Sequence, residues 1–182
     1  MSKNIFVTGA SGFLGKSLLE TMLRQGNDKF YFLVRSDAAE RFIRDEFKWA
    51  DTGRINLVRG DITLENLGFG SATDYLGGEI EEVWHLAAST AFDETKRQEI
   101  ETSNINGTKN VLDFAHRLPH LDRFHYMSTS YISGKNNGTI PEDRVTNQNG
   151  FKNPYESSKF VCENLVRDSN LPFVIIRPSI LI

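Results

Sequence analysis

The stretch "NIFVTGASGFLGKSLLE", Asn4 to Glu20, decides how the chain folds. Ile5, Phe6 and Val7 are β-branched or aromatic and suit a short buried strand, whereas Leu14, Leu18 and Met22 recur at every fourth position and suit one face of a helix. The three glycines therefore sit on a strand-to-helix turn. Gly9 can take the left-handed dihedrals of a tight turn, Gly12 lets a pyrophosphate approach the backbone, and Gly15 lets the helix pack closely on the strand. The helix opening at Phe13 and Leu14 offers unpaired N–H groups and the positive end of its dipole, an anion site that the Ser11 hydroxyl supplements.

The rest of the 182-residue chain repeats that alternation. Strand-like runs recur at 30–34, 55–58, 82–88, 123–128 and 172–177, with helical patterns at 14–25, 38–50, 95–118 and 154–168 and a shorter one at 72–77. Six strands alternating with helices imply a doubly wound parallel sheet, a Rossmann fold of strand order 3-2-1-4-5-6 with helices on both faces. The long Gly- and Asn-rich segment 133–153 reads as a substrate-side loop.

Apolar content of 39% and charged content of 25% are those of one globular domain. A net charge of −3, with no cluster of Lys or Arg, leaves no electrostatic footprint for nucleic acid or an anionic membrane. A strand beginning three residues after Met1 leaves no room for a signal peptide, so a cytoplasmic location is expected. The single cysteine, Cys162, reads as a buried thiol. His85 lies inside a strand and reads as a structural histidine, while His116, His120 and His125 lack ligand spacing; no metal site is expected.

The second strand ends at Arg35, where an acidic residue would hold the ribose 2′-hydroxyl of NAD. A guanidinium there suits a 2′-phosphate, with Ser36 adding a hydrogen bond, so NADP(H) is the expected cofactor. At the end of the third strand, Asp61 and Ile62 are placed to border the adenine. In "NPYESSK", Asn153 is a good N-cap, Pro154 a good first helical residue, and Glu156 can close a capping box. Tyr155 and Lys159 then share a helix face, and the ammonium is expected to lower the pKa of the phenol for proton transfer to a carbonyl oxygen.

With "TGASGFLG", "GDI", "HLAAS", "NINGT", "STSYISG", "YESSK" and "RPSI" in this order, the chain resembles the extended short-chain dehydrogenase/reductase family along essentially its whole length. The resemblance implies a catalytic set of Thr129, Tyr155 and Lys159, with Ser128 and Ser130 the alternatives beside Thr129. It also implies that Leu86, Ala87 and Ala88 line the cofactor, that Asn104 steadies the central helix and the active-site network, and that Lys159 holds the nicotinamide ribose. Pro178 and Ile180 of "RPSI" join the cofactor set, and Gly107 serves close packing.

"FLVRS", "RINLVRGDITLENLGF" and "VWHLAAST" look most like the thioester reductase and fatty acyl-CoA reductase branch. That similarity implies NADPH-dependent reduction of an acyl thioester, on coenzyme A or a carrier protein, to aldehyde or alcohol. A nucleotide-sugar epimerase or dehydratase, a ketone reductase, and a non-catalytic NADP sensor are the rival readings. Family members continue past "RPSI" with a further strand and a smaller substrate-binding region. The chain is thus expected to be the cofactor half of a longer enzyme, to bind NADPH, to reduce little thioester alone, and to self-associate through its sixth strand.

Overall fold

Six parallel strands form one sheet in the order β3-β2-β1-β4-β5-β6 in a computed structural model that describes residues 2–48, 53–69 and 78–181. They are β1 (Asn4–Thr8), β2 (Lys29–Val34), β3 (Ile55–Arg59), β4 (Glu82–His85), β5 (Arg123–Met127) and β6 (Phe173–Ile176). Helices α1 (Phe13–Gln25), α2 (Asp37–Glu46), α3 (Arg97–Ile100), α4 (Gly107–His116) and α5 (Pro154–Arg167) connect them. This is the doubly wound Rossmann arrangement expected from the sequence. The expected helical segment 72–77 and the end of the 38–50 segment fall outside the described residues.

The strand period of two divides the core into two layers. Ile5 and Val7 pack with Leu19, Leu23, Phe30, Phe32 and Ile43 on the face covered by α1 and α2. Phe6, between them, points the other way and joins Tyr31, Val83, Val111, Phe114 and Phe124, the face covered by α4 and α5. Phe6 and Phe114 meet with ring centroids 4.7 Å apart. At the amino edge, Lys3 bridges Glu82 at 2.6 Å and Asp122 at 2.7 Å.

Two details depart from the sequence reading. The innermost row of α1 is Gly15, Leu19 and Leu23, and Leu14, Leu18 and Met22 are half-buried beside it. Gly15 sets this rotation, because its Cα must face the strand turn. The expected helix at 95–118 is also not uniform: between α3 and α4 the chain makes a π-helical stretch, Glu101–Asn106. A π stretch widens the helix and releases backbone groups from the regular ladder, and such stretches gather at functional sites. Here the carbonyl of Asn104 accepts from the Cys162 thiol at 3.2 Å. Gly107 then brings the helix onto the side chain of Ile62, whose Cδ1 lies 2.8 Å from where a Cβ would be.

A Cβ on Gly15 would lie 2.2 Å from the Gly9 carbonyl oxygen and 3.0 Å from the Ala10 Cα, both backbone atoms of the turn. Gly15→Ala is expected to destabilise the protein by roughly 1 to 3 kcal/mol through overpacking. On Gly12 the nearest atom to such a Cβ is the Gly9 oxygen at 3.2 Å. Gly12→Ala should therefore cost less than about 1 kcal/mol. Urea unfolding of the two variants beside wild type measures the difference.

Candidate active site

The loops leaving the carboxyl ends of β1, β2, β3 and β4 enclose a cleft of about 670 Å³. It lies where strand order reverses about β1, the position at which open α/β sheets bind ligands. Gly9, Ser11, Gly12, Arg35, Ser36, Asp61, Ile62, Leu86, Ala87 and Ala88 line it, all of them expected from the sequence. Leu86–Ala88 were expected as strand; the strand ends at His85, and these residues turn out to form the cleft wall. Ala39 and Phe42 of α2, together with Ser89, Glu99 and Ser103, also line it and were missed. The spacing of Ala39 and Phe42, one helical turn apart behind Arg35, is the signal that could have found those two.

The glycine turn leaves an open helix start beside the cleft. Gly9 has φ +78°, and a Cβ there would lie 2.6 Å from the Ala87 amide nitrogen, so the β1 and β4 loops touch through it. Gly12 is the N-cap of α1 and no side chain caps the helix, which leaves its first N–H groups to the cleft. Packing presses less on position 12, where a Cβ would meet only the Gly9 oxygen at 3.2 Å. The residues present thus fit a dinucleotide: open helix N–H groups, a cradle without side chains, and an apolar and acidic far end at Ile62 and Asp61.

At that far end Arg35 is mostly exposed, its side chain 76% accessible, with Nε 4.0 Å from Oδ2 of Asp61. The other oxygen of Asp61 accepts from the N–H and the hydroxyl of Thr63 at 2.8 and 2.9 Å. Only Oδ2 therefore remains for a ligand or for Arg35. Ser36 caps α2, accepting from the Ala39 N–H at 3.2 Å, and keeps its own O–H to donate.

The second cluster forms where β5 ends beside the start of α5. Asn153 caps α5 by accepting from the Glu156 N–H at 2.9 Å. Glu156 reaches back to the Lys152 N–H at 2.9 Å and to the Asn153 side chain at 3.1 Å, which places Tyr155 in a rigid first turn. Thr129 is buried, caps the 3₁₀ turn Ser130–Ser133 by accepting from the Tyr131 N–H at 3.3 Å, and stands near enough to Tyr155 to favour its ionised form. Ser128 instead donates to Glu163 at 2.8 Å and Ser130 is exposed, so Thr129 is the hydroxyl that the structure brings to Tyr155.

Lys159 departs from expectation. Its Nζ donates to the Met127 carbonyl at 2.6 Å and lies 4.5 Å from the centre of the Tyr126 ring, instead of serving Tyr155. The phenol of Tyr155 is accordingly raised in pKa, not lowered: burial dominates, the neighbouring Thr129 hydroxyl opposes it, and Tyr131 adds to the rise. Burial also pulls Lys159 down to about 8.

Asn104 is buried and does not line the cleft, but it ties the wall. Its Oδ1 accepts from the Ser89 N–H at 2.7 Å, and its Nδ2 donates to the Ser89 carbonyl at 3.0 Å and to Ser158 at 2.9 Å. Pro178 contributes a carbonyl that accepts from the Ser130 N–H at 2.9 Å. Phe13 and Ile180 are exposed, and Leu14 and Gly15 serve the packing of α1. His85 is buried between Thr8 at 2.7 Å and Thr108 at 3.1 Å, and burial lowers it to about 3, so it is a neutral structural residue as read. Among the described residues no cluster of His, Cys, Asp and Glu could hold a metal, and no helix is long and apolar enough to cross a membrane.

A family of NAD-binding domains described as male sterility protein matches residues 7–182. The chain belongs to this family. It is an extended short-chain dehydrogenase/reductase fold of the fatty acyl-CoA reductase branch. Fatty acyl-CoA reductase 8 of Arabidopsis thaliana is 33% identical over 182 residues, covering 83% of this chain and 36% of that protein. The terminal R domain of the myxalamid PKS-NRPS pathway superposes with a TM-score of 0.87 at 30% identity, covering 98% of this chain and 48% of that one. UDP-glucuronic acid 4-epimerase of Bacillus cereus, solved with NAD, superposes at 0.74 with 26% identity, covering 97% of this chain and 56% of that one. The chain thus spans less than half the length of the two reductase relatives.

The Lys159 value has a sign that can be measured. Its folded pKa of about 8 lies below the ordinary 10.5, so between these values the unfolded state binds the extra proton and the native state does not. Its contribution to stability therefore rises with pH across that window, by about 1.4 kcal/mol per pH unit at most. Wild type should gain stability relative to Lys159→Met from pH 8 to 10.5 in urea unfolding; a flat difference contradicts the burial of a titrating ammonium.

Proposed function

We propose that the chain carries the cofactor site and the proton-donating residues of an NADPH-dependent reductase of acyl thioesters. The observation that carries this reading is the buried Thr129 at the end of β5 beside the capped first turn of α5 that holds Tyr155, in a chain of the fatty acyl-CoA reductase branch. Gly9, Ser11, Gly12 and the opening of α1 would hold the pyrophosphate, Asp61 and Ile62 the adenine, and Arg35 with Ser36 the 2′-phosphate. When bound, a reduced nicotinamide supplies the hydride for the thioester carbonyl.

The residues of the chain do the rest. Tyr155, protonated at neutral pH because burial raises it, delivers its phenolic proton to the carbonyl oxygen. The Thr129 hydroxyl donates a hydrogen bond to that oxygen. Departure of the thiol then leaves an aldehyde. Lys159, released from the Met127 carbonyl, would reach the nicotinamide ribose and lower the phenol. Support for a thioester comes from the relatives; support for the 2′-phosphate comes from an exposed guanidinium at the end of β2, where NAD would call for a carboxylate.

Arg35→Ala should weaken NADPH binding by the value of one charge-assisted contact, about 1.5 to 3 kcal/mol, and leave NADH binding nearly unchanged. Fluorescence titration with both cofactors checks this, and equal losses for the two would remove the 2′-phosphate assignment. In the intact protein, Tyr155→Phe should bind NADPH as wild type does and lose roughly 10² to 10⁴ in the rate of thioester reduction. Single-turnover NADPH oxidation with acyl-coenzyme A measures it, and a near-wild-type rate would refute the role of Tyr155.

A further inference from the structure

Several large apolar side chains are left exposed where the chain leaves the carboxyl ends of strands: Phe13 after β1, Phe92 after β4, Tyr131 after β5 and Ile180 after β6. Isolated exposed apolar residues need no explanation, but a set gathered along the ligand-binding edge of a sheet does. Phe92 is the informative member. Its ring lies 5.5 Å from that of Tyr155, inclined at 52°, yet Phe92 remains 56% exposed. Its position is built into the fold, because three residues earlier both backbone groups of Ser89 are bound by Asn104. The ring thus packs at a tilt against Tyr155, and much of its surface is open.

We infer that Phe92 is the apolar wall along which the acyl chain of the substrate lies as its carbonyl reaches Tyr155, and that Phe92 thereby sets the preference for acyl-chain length. This rests on the thioester reading above. A sugar hydroxyl gains nothing from an exposed phenyl ring, whereas a run of methylenes removes its own surface and that of Phe92 from water. Phe92 contributes no charge or proton, so its effect falls on binding and grows with chain length.

The test uses non-reducible S-alkyl-coenzyme A thioethers with two, six and ten carbons, titrated calorimetrically into the intact protein. Wild type should bind more tightly with each lengthening. Phe92→Ala should bind the ten-carbon probe about tenfold more weakly, the scale of losing one aromatic anchor, with the two-carbon probe unchanged. Phe92→Leu should retain most of the chain-length dependence. An unchanged dependence in Phe92→Ala, or a wild type that binds no probe or binds all three equally, overturns the inference. Turnover separates this from the parent reading: thioesters reduced with no effect of Phe92 refute the inference alone. Chain-length-dependent binding through Phe92 without reduction of any acyl-coenzyme A refutes the reductase reading and upholds only the acyl-binding role of Phe92.

Discussion

The structure depends on how closely the β1–α1 turn is packed. Gly9 touches the backbone at Ala87, and Gly15 touches the carbonyl of Gly9. At neither position is there room for a single methyl group. These contacts bring the end of β1 against the end of β4 and set α1 with its bare N-terminus over the gap between them. Every other feature of the cleft is referred to that gap: Arg35 follows the end of β2 on one side, and the Leu86–Ala88 wall runs along the other. A helix start left without a side-chain cap is costly in isolation, so leaving it open in a well-ordered turn is consistent with an anion completing it.

A second constraint holds the Thr129 side of the site. Glu163 is buried on α5, where desolvation alone would favour its neutral form. Its bonds to Arg177, Ser128 and Arg167 prevail, and its pKa falls below the ordinary value. Arg177 binds Glu163 through Nε at 3.0 Å and also donates to the Pro141 and Asp143 carbonyls. One buried carboxylate therefore links the residue preceding Thr129, the end of β6 and the long loop at 133–153. Removing either partner would leave a charge buried without compensation, which is why such pairs act as rigid joints more than as sources of net stability.

The electrostatics around Tyr155 follow from burial more than from pairing. Lys159 is a helical turn away, as the spacing requires, but an ammonium in an apolar site seeks the nearest strong acceptor, and the Met127 carbonyl at the end of β5 is closer to hand than a neutral phenol. Tyr155 is left protonated and Lys159 is held near its point of titration.

The sequence by itself determined the parts governed by local chemistry. Strand and helix periods, the left-handed Gly9, the Asn153 cap with its Glu156 partner, and the alternation that orders a parallel sheet depend on neighbours within a few residues. So does the choice of lining residues at strand ends, because a doubly wound sheet places those ends along one edge. Tertiary structure decided what depends on distant contacts. Gly15, pressed against Gly9, turned α1 so that Leu19 and Leu23 face inward ahead of Leu18 and Met22. The π-helical stretch at 101–106 accompanies side-chain and carbonyl bonds from Asn104 to Ser89, Ser158 and Cys162, residues 15 to 58 positions away in the chain. Thr129 was separated from Ser128 and Ser130 only when Glu163 claimed one hydroxyl and solvent the other. The direction of the Lys159 ammonium and the meeting of Phe92 with Tyr155 belong to the same class, since each is settled by groups that the fold brings together from separate strands and loops, where no local pattern records them.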